Sequence, residues 1–246
     1  MCILVCYVRC IPGYPLVLCA NRDEYYGRPA APPGIQGAEE DCGCSFLAPL
    51  DLKAGGTWIG LNSRGCVAAV TNRRGVPFRE GATSRGYLCA QALGQGDVSA
   101  MVARGEQIAS DSELNGFNLF VADAANAWLL VGGGPDLQRI PLPPGVHTLT
   151  NEHELDRIVV PPPPAAWHDP PTFEDLARHL EFLLRRHEPV SADGFAPCKH
   201  FVNRGTRSST LIVLGVESVH FRYADGAPCE TSFVDLSKSV SKLLQI

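Results

Sequence analysis

Short apolar runs that stop at tight turns recur along this chain, and that punctuation restricts it to antiparallel hairpins. Residues 2 to 10 read as a strand, Pro12-Gly13 as a type II turn, and Leu16 to Asn21 as the returning strand. Proline fixes the first turn dihedral, and glycine supplies the positive φ. Thr57 to Leu61 and Cys66 to Asn72 flank the turn-rich Asn62-Ser-Arg-Gly65, and the second strand, apolar on both faces, delivers Asn72 at its end. Phe117 to Asp123 and Ala127 to Gly132 make a third hairpin, Val146 to Asn151 a further strand, and Thr206 to Leu214 with Ser218 to Tyr223 a last hairpin around Gly215. Tyr25 to Leu52, rich in Gly, Pro and small residues, reads as a long loop.

Helices interleave with these hairpins. Ser84 to Leu93 is one, stopped by Gly94, and Asp97 to Arg104 a shorter second. The clearest has Thr172 as N-cap and Phe173, Leu176, Ala177, Leu180, Leu183 and Leu184 on one face, ending at Glu188-Pro189. Asp235 to Leu244 reads as a short C-terminal helix, and Pro161 to Pro164 as a surface connector. The pattern predicts an α+β architecture in a single domain over residues 1–246.

Hydrophobic residues make up 45% of the chain, which excludes disorder as a description of the whole. A net charge of -5 provides no basic field, so nucleic acid is not expected as a partner. The most apolar stretch is broken by Arg9, Pro12, Gly13 and Pro15, so neither a membrane span nor a signal peptide is expected, and the expected location is the cytoplasm. The ten cysteines do not need to be disulfides in a chain long enough to build a core. Cys6, Cys10, Cys19, Cys66 and Cys89 read as small buried hydrophobes, and Cys42-Gly-Cys44 lacks a second pair to complete a zinc site. No metal and no cofactor are expected.

Cys2 is the most suggestive residue. Removal of Met1 leaves a thiol beside its own free α-amine, a nucleophile with a built-in base. The opening hairpin returns Asn21-Arg22-Asp23-Glu24 alongside it. An arginine favours thiolate and a carboxylate holds an α-ammonium, so the Cys2 thiol is expected to be partly ionised below neutrality. Ser84, His147 and Asp156 can be strung into a triad, yet no nucleophile-elbow sequence surrounds any serine.

Met1-Cys2, Asn21-Arg-Asp-Glu24, Gly55-Gly-Thr-Trp-Ile-Gly60, Val70-Thr-Asn72, Gly116-Phe-Asn118, Leu149-Thr-Asn151 and Gly205-Thr-Arg-Ser-Ser-Thr210 resemble the NRDE family, also called the transport and Golgi organisation 2 family. That family looks like a branch of the N-terminal nucleophile hydrolases, similar to the cysteine acylases. The resemblance implies a four-layer αββα sandwich of two antiparallel sheets covered by helices. It also implies catalytic roles for Cys2, Arg22, Asp23, Asn72, Asn151 and Arg207, with Glu24, Trp58 and Asn118 as further binding positions. Asp23 directly follows Arg22, whereas in the acylases the acidic residue lies three positions on, so Asp23 and Glu24 both stand as candidates to orient the α-amine. The activity implied is hydrolysis of a non-peptide C–N or thioester bond in a small acyl or amide substrate. The alternative is a non-catalytic protein that binds or moves haem, a lipid or an acyl conjugate, with Cys198 and His200 as its His-Cys neighbour pair.

Overall fold

A computed structural model describes residues 2–37, 43–152, 154–160, 170–190 and 195–245. Met1, Cys42 of the Cys42/Cys44 pair and the Pro161 to Pro164 connector lie outside the described residues.

The chain opens on the expected hairpin, β1 (Ile3–Ile11) and β2 (Tyr14–Tyr25), which turns on Pro12 and a Gly13 at φ +78°. The stretch expected as a loop instead carries β3 (Ala30–Gln36) and β4 (Phe46–Asp51). Pro32 and Pro33 disguise β3 in the sequence. The strand accommodates them because its register with β4 slips between Ala31 and Gly34 and because it lies at the edge of its sheet. β5 (Ile59–Asn62) and β6 (Val67–Asn72) form the second hairpin.

Ser84 caps α1 (Arg85–Leu93) by accepting from the Gly86 amide, and Asp97 caps α2 (Val98–Asp111) by accepting from Ala100. α2 runs well past Arg104, where the expected helix ended, because Gly105 and Ile108 continue its buried face. β7 (Phe117–Ala122) and β8 (Ala127–Gly132) are the third hairpin, followed by β9 (Gln138–Pro141), absent from the sequence reading, and β10 (Gly145–Thr150). α3 (Phe173–Arg185) has Thr172 accepting from the Asp175 amide and ends before Glu188-Pro189. β11 (Arg204–Leu214) and β12 (Val219–Ala224) are the last hairpin, and β13 (Val234–Asp235) and α4 (Ser237–Leu244) follow.

These elements divide into two compact units, residues 1–28 with 144–237, and residues 29–143 with 238–246. The first holds a six-stranded antiparallel sheet in the order β10-β1-β2-β11-β12-β13. Side chains alternate across a strand, so Ile3, Val5 and Tyr7 of β1 share a face with Val17 and Cys19 of β2. That face packs on Leu176, Leu180 and Leu184 of α3, which forms the core of the unit. The second unit holds a seven-stranded sheet in the order β3-β4-β5-β6-β7-β8-β9, and α1 and α2 cover it through Leu88, Leu93, Met101 and Val102. Two antiparallel sheets and four helices among the described residues are the α+β class expected. Among the described residues, no helix is long and apolar enough to cross a membrane.

Candidate functional site

Strand register assembles the site. Ile3 pairs with Asn21 on β2 and with Thr150 on β10. One further step along each ladder sets Cys2 between Arg22 and Asn151, and residues opposite one another in antiparallel strands share a face. On the far side of β2, Arg22 pairs with Ser208 of β11. Asn151, Cys2, Arg22 and Ser208 thus form a row across four adjacent strands at one end of the sheet. Cys2 is half-buried and the other three are buried. The Cys2 thiol donates to the Asp23 carbonyl at 3.7 Å.

The Asp23 carboxylate belongs to a second set of contacts. Thr206 Oγ1 donates to its Oδ1 at 2.8 Å, and Lys199 Nζ reaches its Oδ2 at 3.4 Å. With its side chain only 4% exposed, burial pushes the Asp23 carboxyl up, and Lys199 and Thr206 pull it back. Glu24 is differently engaged, 3.9 Å from Arg22 and 3.8 Å from Arg28.

The same burial acts on the nucleophile. Desolvation first, then the Asp23 carboxylate, push the Cys2 thiol above its ordinary value, and the Arg22 charge opposes them less strongly. With Met1 attached, the thiol thus lies above its ordinary value, the reverse of the lowering that Arg22 alone would give. The sequence reading gave weight to Arg22 and had no measure of the burial.

Arg207 sits where β11 departs from regular pairing, since Thr206 faces Asp23 and Ser208 faces Arg22, which leaves Arg207 as the extra residue of a bulge. Bulges re-aim side chains. Its Nε is buried and has no hydrogen-bond partner among the described residues. Asn21, by contrast, is structural. Its Nδ2 donates to the carbonyls of Leu184 and Pro197, and Ser209 donates to its Oδ1, which fastens β2 to the chain around α3.

The first unit thus brings together Cys2, Arg22, Asp23, Glu24, Asn151 and Arg207. The remaining expected residues belong to the second unit. Asn72 closes β6 and is exposed, and Trp58 precedes β5 half-buried. Asn118 is buried and donates to Thr71 Oγ1 at 3.1 Å, opposite it on β6. Of the set-aside triad, His147 and Asp156 are paired at 2.9 Å, whereas Ser84 is spent as the cap of α1.

Sequence reasoning missed Lys199, whose only signal is its place in Cys198-Lys-His200. It also missed a cluster. His187, Cys198, His200 and Cys229 gather their ligand atoms within 4.8 Å of one another, although no sequence spacing announced a metal site.

Known proteins with this architecture place the geometry in context. The chain is similar to conjugated bile acid hydrolase from Clostridium perfringens, with a TM-score of 0.51 at 11% identity over 97% of this chain and 93% of that one. An N-acylethanolamine-hydrolyzing acid amidase ortholog from Caenorhabditis elegans matches with a TM-score of 0.50 at 11% identity, over 100% of this chain and 97% of that one. The fold is that of the N-terminal nucleophile hydrolases. In sequence, the chain is 34% identical over 146 residues to the Bos taurus Transport and Golgi organization protein 2 homolog, covering 56% of this chain. It spans about half the length of the curated relatives it matches, 51% in that case. The family model for Transport and Golgi organisation 2 matches residues 1–169, the stretch that carries Cys2, Arg22, Asp23 and Asn151, and by that match the chain belongs to this family.

Proposed function

We propose that this chain is an N-terminal cysteine hydrolase acting on a linear amide or thioester bond of a small acyl conjugate. The observation that carries the reading is the row of Asn151, Cys2 and Arg22 across three neighbouring strands, with the buried Asp23 carboxylate beside it. Once Met1 is removed, the α-amine of Cys2 takes the thiol proton as Sγ attacks the acyl carbon, so the neutral resting thiol is no obstacle. Asn151 donates to the oxyanion that forms, a contribution of about 2.7–4 kcal/mol when the donor is held in place.

The C–N bond then breaks, and the leaving amine takes the proton from the α-ammonium. Water next attacks the acyl-thioester, the S–C bond breaks, and Cys2 is restored. Asp23 holds the α-ammonium, and Arg22 favours the sulfur anion as it develops. Arg207, with a buried donor to spare, binds the acyl or carboxylate end of the substrate, with Glu24 beside the site. Asn72, Trp58 and Asn118 are candidate binding residues of the second unit, and the reading takes residues 1–246 as one domain working in the cytoplasm.

Intact mass and turnover test the reading together. The purified protein should lack Met1, and Cys2→Ala should lower hydrolysis of N-acyl conjugates by orders of magnitude, with a smaller loss for Asn151→Ala. Retained Met1 overturns the mechanism. Binding of an acyl conjugate that survives Cys2→Ala, with no turnover by either protein, would instead establish a binding protein on the same fold.

A further inference from the structure

We propose that His187, Cys198, His200 and Cys229 form a closed tetrahedral site for a divalent zinc-class cation. The distances among Cys198, His200 and Cys229 fit one, and the His187 ligand atom lies within 4.8 Å of theirs. Zinc bonds of about 2.3 Å to sulfur and 2.0–2.1 Å to nitrogen place tetrahedral ligand atoms roughly 3.3–3.8 Å apart. Here the two sulfurs are 3.6 Å apart, and His200 Nε2 lies 3.7 Å from Cys198 Sγ and 3.2 Å from Cys229 Sγ. His187 completes the set with its ring stacked at 5.2 Å on that of His200. Two imidazoles and two thiolates in this arrangement select zinc over magnesium or calcium, which take oxygen ligands.

The ligands come from three backbone segments, each tied in place. The Cys198 amide donates to the Arg186 carbonyl at 2.9 Å, which holds Cys198 against the segment that carries His187. Lys199 and Thr206 exchange hydrogen bonds at 2.8 and 3.0 Å, so His200 sits on a small closed hairpin. Arg185 Nε donates to the Pro228 carbonyl at 3.0 Å, and the Glu230 amide to Ala227, which fixes the turn bearing Cys229. The spacing matches no ordinary zinc pattern because the fold, and not a local motif, brings the four residues together.

Four protein ligands leave no open position, so the site is structural. Binding forms two Zn–S and two Zn–N bonds and releases two thiol protons to solvent. Both thiols must lose their protons to bind, so affinity falls as pH falls. The hairpin that the cation would pin carries Lys199 and Thr206, the two side chains that grip Asp23. Occupancy therefore positions that carboxylate without touching substrate.

The test is cobalt titration of the full chain after chelation and thiol reduction, followed by absorbance. Tetrahedral ligand-field bands and a thiolate-to-cobalt charge-transfer band should saturate at about one equivalent, and zinc should displace them. Cys198→Ser and Cys229→Ser should each weaken binding by more than about 100-fold, because even outer-shell partners of a ligand are worth about 10- to 100-fold. His200→Gln should weaken binding while keeping the charge-transfer band. Cys229 is exposed, so its variant tests the site even if Cys198→Ser fails to fold. Absence of the bands in the reduced protein, or bands unaltered in Cys229→Ser, overturns the proposal. Cys2→Ala should bind cobalt normally, so the hydrolase reading and the metal site fail independently.

Discussion

A half-buried nucleophile close enough to a carboxylate to feel its charge is restrained at rest. Burial and Asp23 both hold the Cys2 thiol protonated, so at neutral pH iodoacetamide should label it no faster than an ordinary exposed thiol, and labelling should rise only at alkaline pH. Arg22→Gln removes a favourable charge and should move that rise to still higher pH, whereas Asp23→Asn removes an unfavourable one and should move it down. Mass-spectrometric mapping across pH checks both directions, and shifts of the same sign in the two variants would refute this electrostatic account. Lys199 is the hidden member of the set. Lys199→Met strands a buried carboxylate and should cost about 3–5 kcal/mol in urea unfolding, much of it recovered in the Lys199→Met/Asp23→Asn double variant. Cys2, Arg22 and Asp23 were legible in the sequence as neighbours because one Pro-Gly turn folds them back beside one another, whereas the bulge between Val8 and Ile11, which sets Cys2 opposite Arg22, was not. Neither was Lys199, since nothing near it in sequence specifies an ion pair with a residue on a distant strand.

Elements were legible where their own ends declare them. Thr172, Ser84 and Asp97 cap their helices by side-chain bonds to amides two or three residues on, and such caps are written in the sequence. β3 was illegible for the converse reason: its two prolines contradict a strand everywhere except at an edge bulge, and edge position is a tertiary fact. α3 allows the two kinds of information to be weighed. Thr172→Ala should cost about 1 kcal/mol, the loss of a cap. Leu180→Ala should cost about 2–5 kcal/mol, because Leu180 is fully buried against the β1 and β2 face. Thermal or urea unfolding of the two variants checks the order, and a reversal would mean that α3 contributes little to the core of its unit.

At the scale of the whole molecule the cysteines act together. Burial pushes Cys6, Cys19 and Cys89 up and takes Cys66 up to about 12. These folded values lie above the unfolded one of about 8.5, so the stability that the neutral thiols contribute is complete below that pH and is lost as pH rises through the folded values. The melting temperature should accordingly fall between pH 8 and pH 11, by less in a Cys66→Ala variant, and a flat profile would contradict the burial of these thiols. The sequence reading of small buried hydrophobes holds for Cys6, Cys19, Cys66 and Cys89, whereas Cys10 is exposed. The prolines of β3 have a consequence of another kind. An open sheet edge is an invitation to self-association, because its unpaired amides and carbonyls can recruit a strand from a neighbouring chain. Pro32 and Pro33 have no amide hydrogen to offer, and their bulge bends the edge out of line. The residues that concealed this strand from a reading of the sequence also conceal it from other copies of the protein.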